Sequence, residues 1–262
     1  MRIQKIQTNK NNYHNTTFKS WNRTVYKELY SNANPAPRKI AHRNDTRFYR
    51  DGEFWKDACA FFVNKFKDVD KVNVYSYACS DGSEPLTFVM QLLSNYSQNI
   101  ANKFFPVEAR DIDVYAILKA KSKDYTMNSS EIYDINKFTN HQFLRYFCCT
   151  SQIENNKGEK PYDVSKELTN NINYDVKDIN IDYVNIKPEN SIVFARNFWP
   201  YIENWTDRRD LLYKLSSQMG KNSYLVIGDF DNVATDWKLI SLIIDAGFSF
   251  TPLSKIFKKS CE

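Results

Sequence analysis

The residues most able to do chemistry lie in a short loop that joins an apolar strand to an apolar helix. Val72–Tyr77 has the composition of a buried strand, and Ala78–Pro85 after it reads ACSDGSEP. In an α/β sheet such a loop lies at the carboxyl edge, where ligand-binding crevices form. A phosphate-binding loop is rich in Gly and contains Lys, whereas this one has two acids, one Gly and no Lys. It therefore favours a ligand with a cationic end, such as the ammonium group of S-adenosylmethionine.

Polar side chains also stand at the ends of three more predicted strands. These strands are Lys103–Ala109, Ile172–Val176 and Ser191–Ala195. The polar residues that follow them are Asp111, Asp178, Arg196 and Asn197. Because the carboxyl ends of parallel strands meet at one edge of a sheet, these side chains should converge on one crevice with the loop after Tyr77. The convergence is a stronger sign of a binding site than any single loop.

The order of elements indicates the fold class. Strands alternate with helices along most of the chain, which predicts an α/β fold with a mostly parallel, Rossmann-like sheet and helices on both faces. A turn signal at Asn155–Gly158 predicts a small inserted β subdomain at about residues 148–170. We expect a basic N-terminal helical segment over residues 1–43, with a helix at Phe18–Tyr30, and one large domain over residues 44–262.

Composition excludes several classes of protein. The 262 residues are 42% hydrophobic and 26% charged, which is typical of a globular domain rather than a disordered chain. Five Cys without a C-x-x-C pair indicate reduced thiols, and three scattered His do not suggest a metal site. Neither a signal peptide nor a membrane-spanning run is visible, so we expect a soluble cytoplasmic protein without membrane insertion.

Charge is distributed unevenly along the chain. Residues 1–50 hold eleven Lys and Arg against two acids, whereas the remainder holds 25 against 29. A basic segment on a slightly acidic body favours an acidic partner surface, which could be a protein, a nucleic acid or an anionic membrane. A solvated N-terminal segment without a partner is equally compatible with these charges.

Several short motifs follow one another in the order found in a known family. Residues 44–51 (NDTRFYRD) resemble N-x-T-x-F-F-R-E, residues 78–85 resemble A-C-S-x-G-E-E-P, residues 110–113 (RDID) resemble S-D-I-D, and residues 195–202 (ARNFWPYI) resemble C-R-N-V-x-I-Y-F. Residues 142–147 and 166–168 match the intervening region. The family is that of the CheR-type chemotaxis receptor methyltransferases, and the likeness extends from about residue 40 to residue 258. It implies a class I methyltransferase sheet and methyl transfer from S-adenosylmethionine to receptor glutamates.

The resemblance also implies roles for individual residues. With S-adenosylmethionine as cofactor and S-adenosylhomocysteine as product, Asn44, Thr46 and Arg50 would hold the methionine end, the Arg50 guanidinium pairing with the cofactor carboxylate. The other implied cofactor positions are Ala78 and Glu84 in the loop, Asp111 at the ribose hydroxyls, Asp178 and Ile179 beside the adenine, and Arg196 and Asn197 in the pocket wall. Tyr201 is the implied catalytic position, facing the substrate carboxylate, and no metal is implied.

The chain departs from the family at several positions. Ser83 stands where the family has the first of two Glu, Ala195 replaces Cys, and Asp229–Asp231 replaces His-Ser-Glu. Asp81 or Glu84 then becomes the candidate partner of the methionine ammonium. Fewer residues precede Asn44 than in the family's usual N-terminal domain, which helps to engage the receptor.

Two classes of function are compatible with these residues. The first is a methyltransferase acting on a glutamate of an acidic protein, such as a chemoreceptor-like helix, since a carboxylate ionised at neutral pH needs no general base. The second is a degenerate cofactor-binding module without methyl transfer, which Ser83 and the short N-terminal segment favour. A methyltransferase with a different acceptor also fits, but the Asp/Asn-Pro-Pro-Tyr motif common in amino-group nucleic-acid methyltransferases is absent, which makes nucleic acid an unlikely acceptor.

Overall fold

A computed structural model describes residues 46–220, 222–234 and 238–260 of the chain. The basic segment 1–43, its predicted helix Phe18–Tyr30, and Asn44 lie outside the described residues. Each helix within these ranges is too short or too polar to cross a lipid bilayer.

The strands of the described residues form two sheets. In chain order they are β1 (Asn73–Tyr77), β2 (Val107–Asp111), β3 (Asp124–Met127), β4 (Phe147–Cys149), β5 (Lys160–Val164), β6 (Ile172–Val176), β7 (Ser191–Ala195), β8 (Tyr224–Val226), β9 (Phe248–Phe250) and β10 (Ile256–Lys259). The main sheet has the order β6-β2-β1-β7-β8-β10-β9, and the small sheet has the order β3-β5-β4. In the main sheet β10 runs antiparallel to both neighbours, and the other pairs are parallel.

The strand order reverses at β1, which pairs with β2 on one side and with β7 on the other. Such a reversal opens a crevice outside the carboxyl ends of the strands, because the connections on its two sides lead to opposite faces of the sheet. The predicted Rossmann-like α/β sheet is confirmed, and its switch point lies where the polar strand ends had been expected to meet.

The helices alternate with these strands. They are α1 (Gly52–Lys65), α2 (Ser83–Asn95), α3 (Gln98–Ala101), α4 (Val114–Ser122), α5 (Ser129–Phe138), α6 (Phe143–Tyr146), α7 (Lys166–Thr169), α8 (Ile179–Asp182), α9 (Trp205–Gln218), α10 (Asp229–Ala234) and α11 (Lys238–Asp245), with short 3-10 turns at Asn102–Phe104, Tyr183–Asn185 and Trp199–Tyr201. The first of these turns explains why β2 begins at Val107 rather than at Lys103, as its composition had suggested.

The period of two along a strand distributes the core over both faces of the sheet. On one face Val193 and Ala195 of β7 join the cluster that contains Leu211 and Leu215 of α9. On the other face the Phe194 ring lies 5.4 Å from Trp55 of α1 and 5.1 Å from Phe88 of α2. The central strand is therefore buried on both sides, which fixes the position of the loops that leave its carboxyl end.

The region between β2 and β6 holds elements that the sequence did not indicate. Strand β3 and helix α5 occupy residues 124–138, and β3 pairs antiparallel with β5. The turn at Asn155–Gly158 lies between β4 and β5, which also pair antiparallel. The small sheet therefore draws one strand from before the interval in which we had placed the inserted subdomain.

A buried polar network fixes the segment after β6 to the sheet. The Arg110 guanidinium forms an ion pair with Asp182, and its carbon lies 5.7 Å from the Tyr75 ring centroid. The Tyr77 hydroxyl donates to Asp182 Oδ2 at 2.8 Å, and Asn185 Nδ2 donates to Asp182 Oδ1 at 2.8 Å. Since Asp182 ends helix α8, the network sets the position of the Asp178–Ile179 turn above the sheet.

Removing the Asp182 carboxylate should destabilise the protein strongly. Asp182→Ala leaves the largely buried Arg110 guanidinium with only the Glu108 carboxylate, at 3.6 Å, as an ion-pair partner. Removing one partner of a buried ion pair costs about 3–5 kcal/mol in the free energy of unfolding. Asp175→Ala is the matched control, because that carboxylate is half-exposed and pairs with Lys177 at 3.4 Å; its loss should cost less than about 1 kcal/mol. Urea denaturation measures both, and equal small losses would contradict a structural role for the network.

Candidate functional site

The loop between β1 and α2 has an unusual backbone. Ala78, Ser80 and Gly82 have φ values of 55°, 52° and 87°, in the left-handed region that residues other than Gly rarely adopt. Ala78 is exposed although the residues on either side of it are buried. Because every second residue from 78 to 82 is left-handed, the chain bends sharply away from the strand. The loop therefore exposes its backbone at the carboxyl edge of the sheet, where a ligand can approach it closely.

Asp111 joins this loop to the end of β2. Its Oδ2 accepts a hydrogen bond from the Ser80 backbone N–H at 2.8 Å, and its Oδ1 accepts one from the Asp113 N–H at 2.8 Å. Asp113 itself caps helix α4 by accepting from the Tyr115 N–H at 2.9 Å. The two acids of the motif at residues 110–113 therefore act differently: Asp111 links two strand ends, and Asp113 begins a helix.

Arg196 occupies the centre of the site. Its guanidinium, almost wholly buried, donates to Asp51 Oδ2 at 2.9 Å and to Glu84 Oε2 at 3.1 Å. The Phe54 and Trp55 rings lie 4.8 and 4.6 Å from its carbon. The predicted pocket residue thus contacts two carboxylates from different segments and two aromatic rings.

Glu84 has a second partner on β1. Its Oε1 accepts a hydrogen bond from the Ser76 hydroxyl at 3.0 Å. Burial raises the pKa of the Glu84 carboxyl, and the Arg196 guanidinium, the Ser76 hydroxyl and the Arg50 charge oppose that rise. The charge of Arg50 therefore acts on the same carboxylate as that of Arg196.

The departure at Ser83 has a local structural account. Asp81 Oδ1 accepts from the Ser83 hydroxyl at 2.7 Å and from the Ser83 N–H at 3.0 Å, and Ser83 is the first residue of α2. Burial raises the pKa of the Asp81 carboxyl, and its hydrogen bonds to Ser83 oppose that rise. Both acids of the loop, Asp81 and Glu84, therefore have partners within the protein.

The segment before α1 lies over the same edge. Thr46 and Arg50 are half-buried, and Arg50 accepts through its carbonyl from the Trp55 indole at 3.0 Å. Tyr49, at φ 50°, donates its N–H to the Thr87 hydroxyl of α2 at 3.2 Å. This segment therefore packs on the helix that follows the loop.

The loop after β7 carries three of the predicted residues. Asn197 has φ 60°, and its Oδ1 is buried without a hydrogen-bond partner among the described residues. Tyr201 closes the 3-10 turn that follows, with 45% of its surface exposed. Its ring lies 6.1 Å from that of Phe230, which is also exposed. The loop thus presents an amide oxygen inside and two aromatic rings outside.

Asp178 and Ile179 lie at the end of β6, on the far side of Asp111. Asp178 Oδ1 accepts from the Asn180 N–H at 2.9 Å and begins α8, while Ile179 packs against the core cluster of the sheet. Lys177 donates its N–H to the Asp111 carbonyl at 3.0 Å, which joins this strand end to that of β2.

Two acids that the sequence did not single out belong to the site. Asp51 pairs with Arg196, and Asp231 is fully buried and accepts from the Asn197 N–H at 2.6 Å. Asp51 could have been identified from the motif at residues 44–51, because it stands at the motif's last position, where the family has an acid. The signal for Asp231 was weaker, since it stands inside a segment that departs from the family pattern.

The arrangement fits S-adenosylmethionine. Buried polar atoms are almost always hydrogen-bonded, yet the Ser80 hydroxyl and the Asn197 Oδ1 have no partner among the described residues. Both belong to loops at the switch point of the sheet, where nucleosides bind in folds of this type. A bound polar ligand would satisfy them.

Fold and site together define a Rossmann-like methyltransferase domain. The model of the family described as CheR methyltransferase, SAM binding domain, matches residues 44–243. The chain therefore belongs to the CheR methyltransferase family, and its cofactor is S-adenosylmethionine.

The relatives found are distant. A chemotaxis protein methyltransferase of Borreliella burgdorferi is 22% identical over 200 residues, which is 72% of this chain and 65% of that protein. The N-methyltransferase NodS of Bradyrhizobium japonicum, solved with S-adenosyl-L-homocysteine, is 11% identical, with a TM-score of 0.42 over 90% of this chain and 98% of the other. A TehB-like SAM-dependent methyltransferase of Corynebacterium glutamicum is also 11% identical, with a TM-score of 0.39 over 80% and 96%.

The close approach of the loop to helix α4 and strand β6 should make Gly82 irreplaceable. A Cβ on Gly82 would lie 2.7 Å from the Tyr174 hydroxyl and 3.0 Å from the Ala120 Cβ. Gly158→Ala is the matched control, because Gly158 has a similar φ of 72° but nothing within 4 Å of its Cβ position. Both changes cost about 1–2 kcal/mol of backbone strain, and Gly82→Ala should cost about 1–3 kcal/mol more from overpacking.

Thermal and urea unfolding compare the two variants. The Gly82 variant should also lose affinity for S-adenosylhomocysteine, measured by calorimetry, while the Gly158 variant keeps it. Equal stability of the two variants would mean that the loop can move away from Tyr174 at no cost.

Proposed function

We propose that this chain transfers the methyl group of S-adenosylmethionine to a glutamate carboxylate of an acidic protein, with a chemoreceptor-like helix as the candidate substrate. The observation that carries the proposal is the half-exposed Tyr201, four residues beyond Asn197 on the loop that leaves the carboxyl end of β7. The matched position in the family motif faces the substrate carboxylate. A phenol hydroxyl is a donor that can orient a carboxylate without removing a proton from it.

Cofactor binding in this proposal uses residues from every polar strand end. Thr46 and Arg50, with Asn44 outside the described residues, hold the methionine end, and Ala78 and Glu84 line it from the loop. Asp111 accepts hydrogen bonds from the ribose hydroxyls, and Asp178 with Ile179 flanks the adenine. Arg196 has an indirect role, because its ion pairs hold Glu84 and Asp51 in place. Asn197 Oδ1 accepts a hydrogen bond from the bound ligand.

The chemistry makes modest demands on the protein. S-adenosylmethionine, when bound, supplies a methyl group on a positively charged sulfur, which a carboxylate can attack directly. The acceptor is ionised at neutral pH, so no side chain has to remove a proton. The task of the protein is then to align the acceptor and to exclude water. Burial raises the pKa of the Cys79 thiol far above its usual range, so this loop thiol stays protonated and does not compete for the methyl group.

The second candidate is a cofactor-binding module that has lost methyl transfer. The observation that favours it is Ser83, whose hydroxyl donates to Asp81 where the family motif has a glutamate. Such a module would bind the cofactor and its product but would leave every acceptor unmethylated.

Arg50→Ala should weaken binding of S-adenosylhomocysteine by at least about 30-fold, since loss of one partner of a partly buried charged pair costs about 2–5 kcal/mol. Arg47→Ala is the matched control, because Arg47 is exposed and lies three residues earlier in the same segment; it should change affinity by less than about twofold. Titration calorimetry measures both. If the two variants bind alike, the methionine end is held elsewhere.

Tyr201→Phe should abolish methyl transfer to carboxylates while leaving S-adenosylhomocysteine binding intact. The measurement uses cofactor with a labelled methyl group and a lysate of the source cells, followed by mild alkali, because carboxyl methyl esters release methanol in base whereas methylated amines do not. Tyr213→Phe serves as control, since Tyr213 has a similar exposed fraction, 48%, and donates to the Asp245 carbonyl on α11.

Three results separate the candidate functions. Volatile label that depends on Tyr201 and not on Tyr213 supports carboxylate methylation. A base-stable label points to a different acceptor, and cofactor binding without any transfer favours the binding module.

A further inference from the structure

A buried carboxylate joins the loops that follow two neighbouring strands of the sheet. Asp231, on the first turn of α10, has no exposed surface. Its Oδ2 accepts from the Asn197 N–H at 2.6 Å and from the Gly228 N–H at 2.7 Å, and its Oδ1 accepts from the Trp199 N–H at 3.2 Å. Three backbone donors from two loops therefore converge on one side chain.

Asp231 bridges two loops that lie side by side at one edge of the sheet. Strands β7 and β8 run parallel, so their two loops leave the same edge of the sheet side by side. A Cβ on Gly228 would overlap the side-chain amide of Asn197, which shows how closely that side chain packs against the Gly228 backbone. Buried N–H groups without acceptors are costly, and the Asp231 carboxylate supplies acceptors for three of them.

The N–H groups held by Asp231 belong to the residues that lead to Tyr201. Asn197 is in the left-handed region at φ 60°, a conformation that has to be imposed on a non-Gly residue. Trp199 begins the 3-10 turn that ends at Tyr201, and its indole N–H donates to the Ala195 carbonyl at 2.8 Å. The backbone from Ala195 to Tyr201 is thus fixed at its middle by one carboxylate.

We propose that Asp231, in its ionised form, is a positioning residue that holds the Asn197–Tyr201 loop in the conformation needed for methyl transfer. This inference rests on the proposed function for its catalytic consequence. The hydrogen bonds themselves are a property of the free protein and can be tested without any acceptor.

The position makes the loop sensitive to pH. Burial raises the pKa of the Asp231 carboxyl to about 7, while its three backbone hydrogen bonds and the Arg196 guanidinium oppose that rise. Asp229 lies on the same turn as Asp231, and its Oδ2 forms an ion pair with Lys255 Nζ at 2.6 Å. Below pH 7 the carboxyl gains a proton, one oxygen becomes a donor, and the hydrogen bonds to the loop weaken.

Stability and activity should respond to this group with opposite signs. A carboxyl with a raised pKa in the folded state contributes stability that is complete below its unfolded value of 3.8 and is lost as the pH rises through about 7. The ordered loop, by contrast, requires the ionised form. The protein therefore gives up stability at neutral pH to keep this carboxylate charged.

The test measures backbone amides of the full chain by nuclear magnetic resonance between pH 5.5 and 8.5. The N–H resonances of Gly228, Asn197 and Trp199 should shift together with one midpoint near 7. In Asp231→Asn this shared transition should vanish, and amide exchange at Asn197 and Trp199 should become about tenfold faster or more, since a hydrogen bond to a charged acceptor is lost.

Two further variants keep the result interpretable. Asp229→Asn removes an exposed acid from the same turn and should leave the shared transition in place. Asp231→Glu retains a carboxylate and should restore the transition at least partly, even if Asp231→Asn proves too unstable to study. Absence of a common transition in the wild type, or its persistence in Asp231→Asn, overturns the proposal.

The catalytic consequence is measured separately. Where carboxyl methylation is detected, its rate at saturating cofactor should rise through pH 7 in the wild type and in Asp229→Asn. In Asp231→Asn the profile should be flat and the rate low. A transition in the amide spectra without any methylation would support the positioning role of Asp231 and contradict only the proposed function.

Discussion

The site depends on one buried cation. The Arg196 guanidinium is removed from water, and taking an ion out of water costs several kcal/mol unless partners compensate for it. Asp51 and Glu84 are those partners, and they come from segments 33 residues apart in the chain. Phe54 and Trp55 cover the flat faces of the ion, where cations are attracted to aromatic rings. The segment before α1, the loop before α2 and the end of β7 must therefore meet at Arg196.

A second constraint acts on the backbone around that cation. Tyr49, Ser80 and Asn197 all adopt left-handed conformations that cost free energy for residues with a side chain. Each of them donates its N–H to a side-chain oxygen of another element: Tyr49 to Thr87, Ser80 to Asp111, and Asn197 to Asp231. The same device recurs in three loops of one crevice, so the strained conformations are held by hydrogen bonds that span more than 30 residues of sequence. A loop held in this way is ordered before a ligand arrives, which reduces the entropy lost on binding.

The sequence predicted those strands whose local residue pattern matches their burial in the folded sheet. Strands β1 and β7 are mostly buried runs followed by polar residues, the pattern of parallel strands buried on both faces, whereas β6 alternates between apolar and polar residues. The structure has all three strands within one residue of the predicted bounds. Strand β3 was missed because its four residues alternate between exposed and buried, which is too short a signal. Helix α5 was missed although Asn128 caps it by accepting from the Glu131 N–H at 3.0 Å, an arrangement that the spacing of Asn128 and Glu131 could have indicated.

The candidate site was predictable only at the level of residue types. Polar residues at strand ends must meet at one edge of a parallel sheet, so their convergence follows from topology alone. Topology does not predict which of these residues bind each other, because Arg196 could have faced a ligand instead of Asp51 and Glu84. The hydrogen bonds of Asp231 could not be predicted from the sequence, since the three N–H groups that donate to it belong to two loops and no local sequence pattern links them.

The altered loop after β1 shows how a departure from the family pattern can preserve the property that matters. The family motif has two glutamates where this chain has Ser83 and Glu84, and this chain has Asp81 at the variable position of the motif. The carboxylate that is missing at residue 83 is thus matched by one at residue 81, and the loop keeps two acids. Asp81 binds the hydroxyl and the N–H of Ser83, and Glu84 keeps its bonds to Arg196 and Ser76. A cationic ligand responds to the number and distance of carboxylates rather than to their order in the chain. The loop therefore keeps as many carboxylates as the family motif, which supports a loop that still serves a positively charged cofactor.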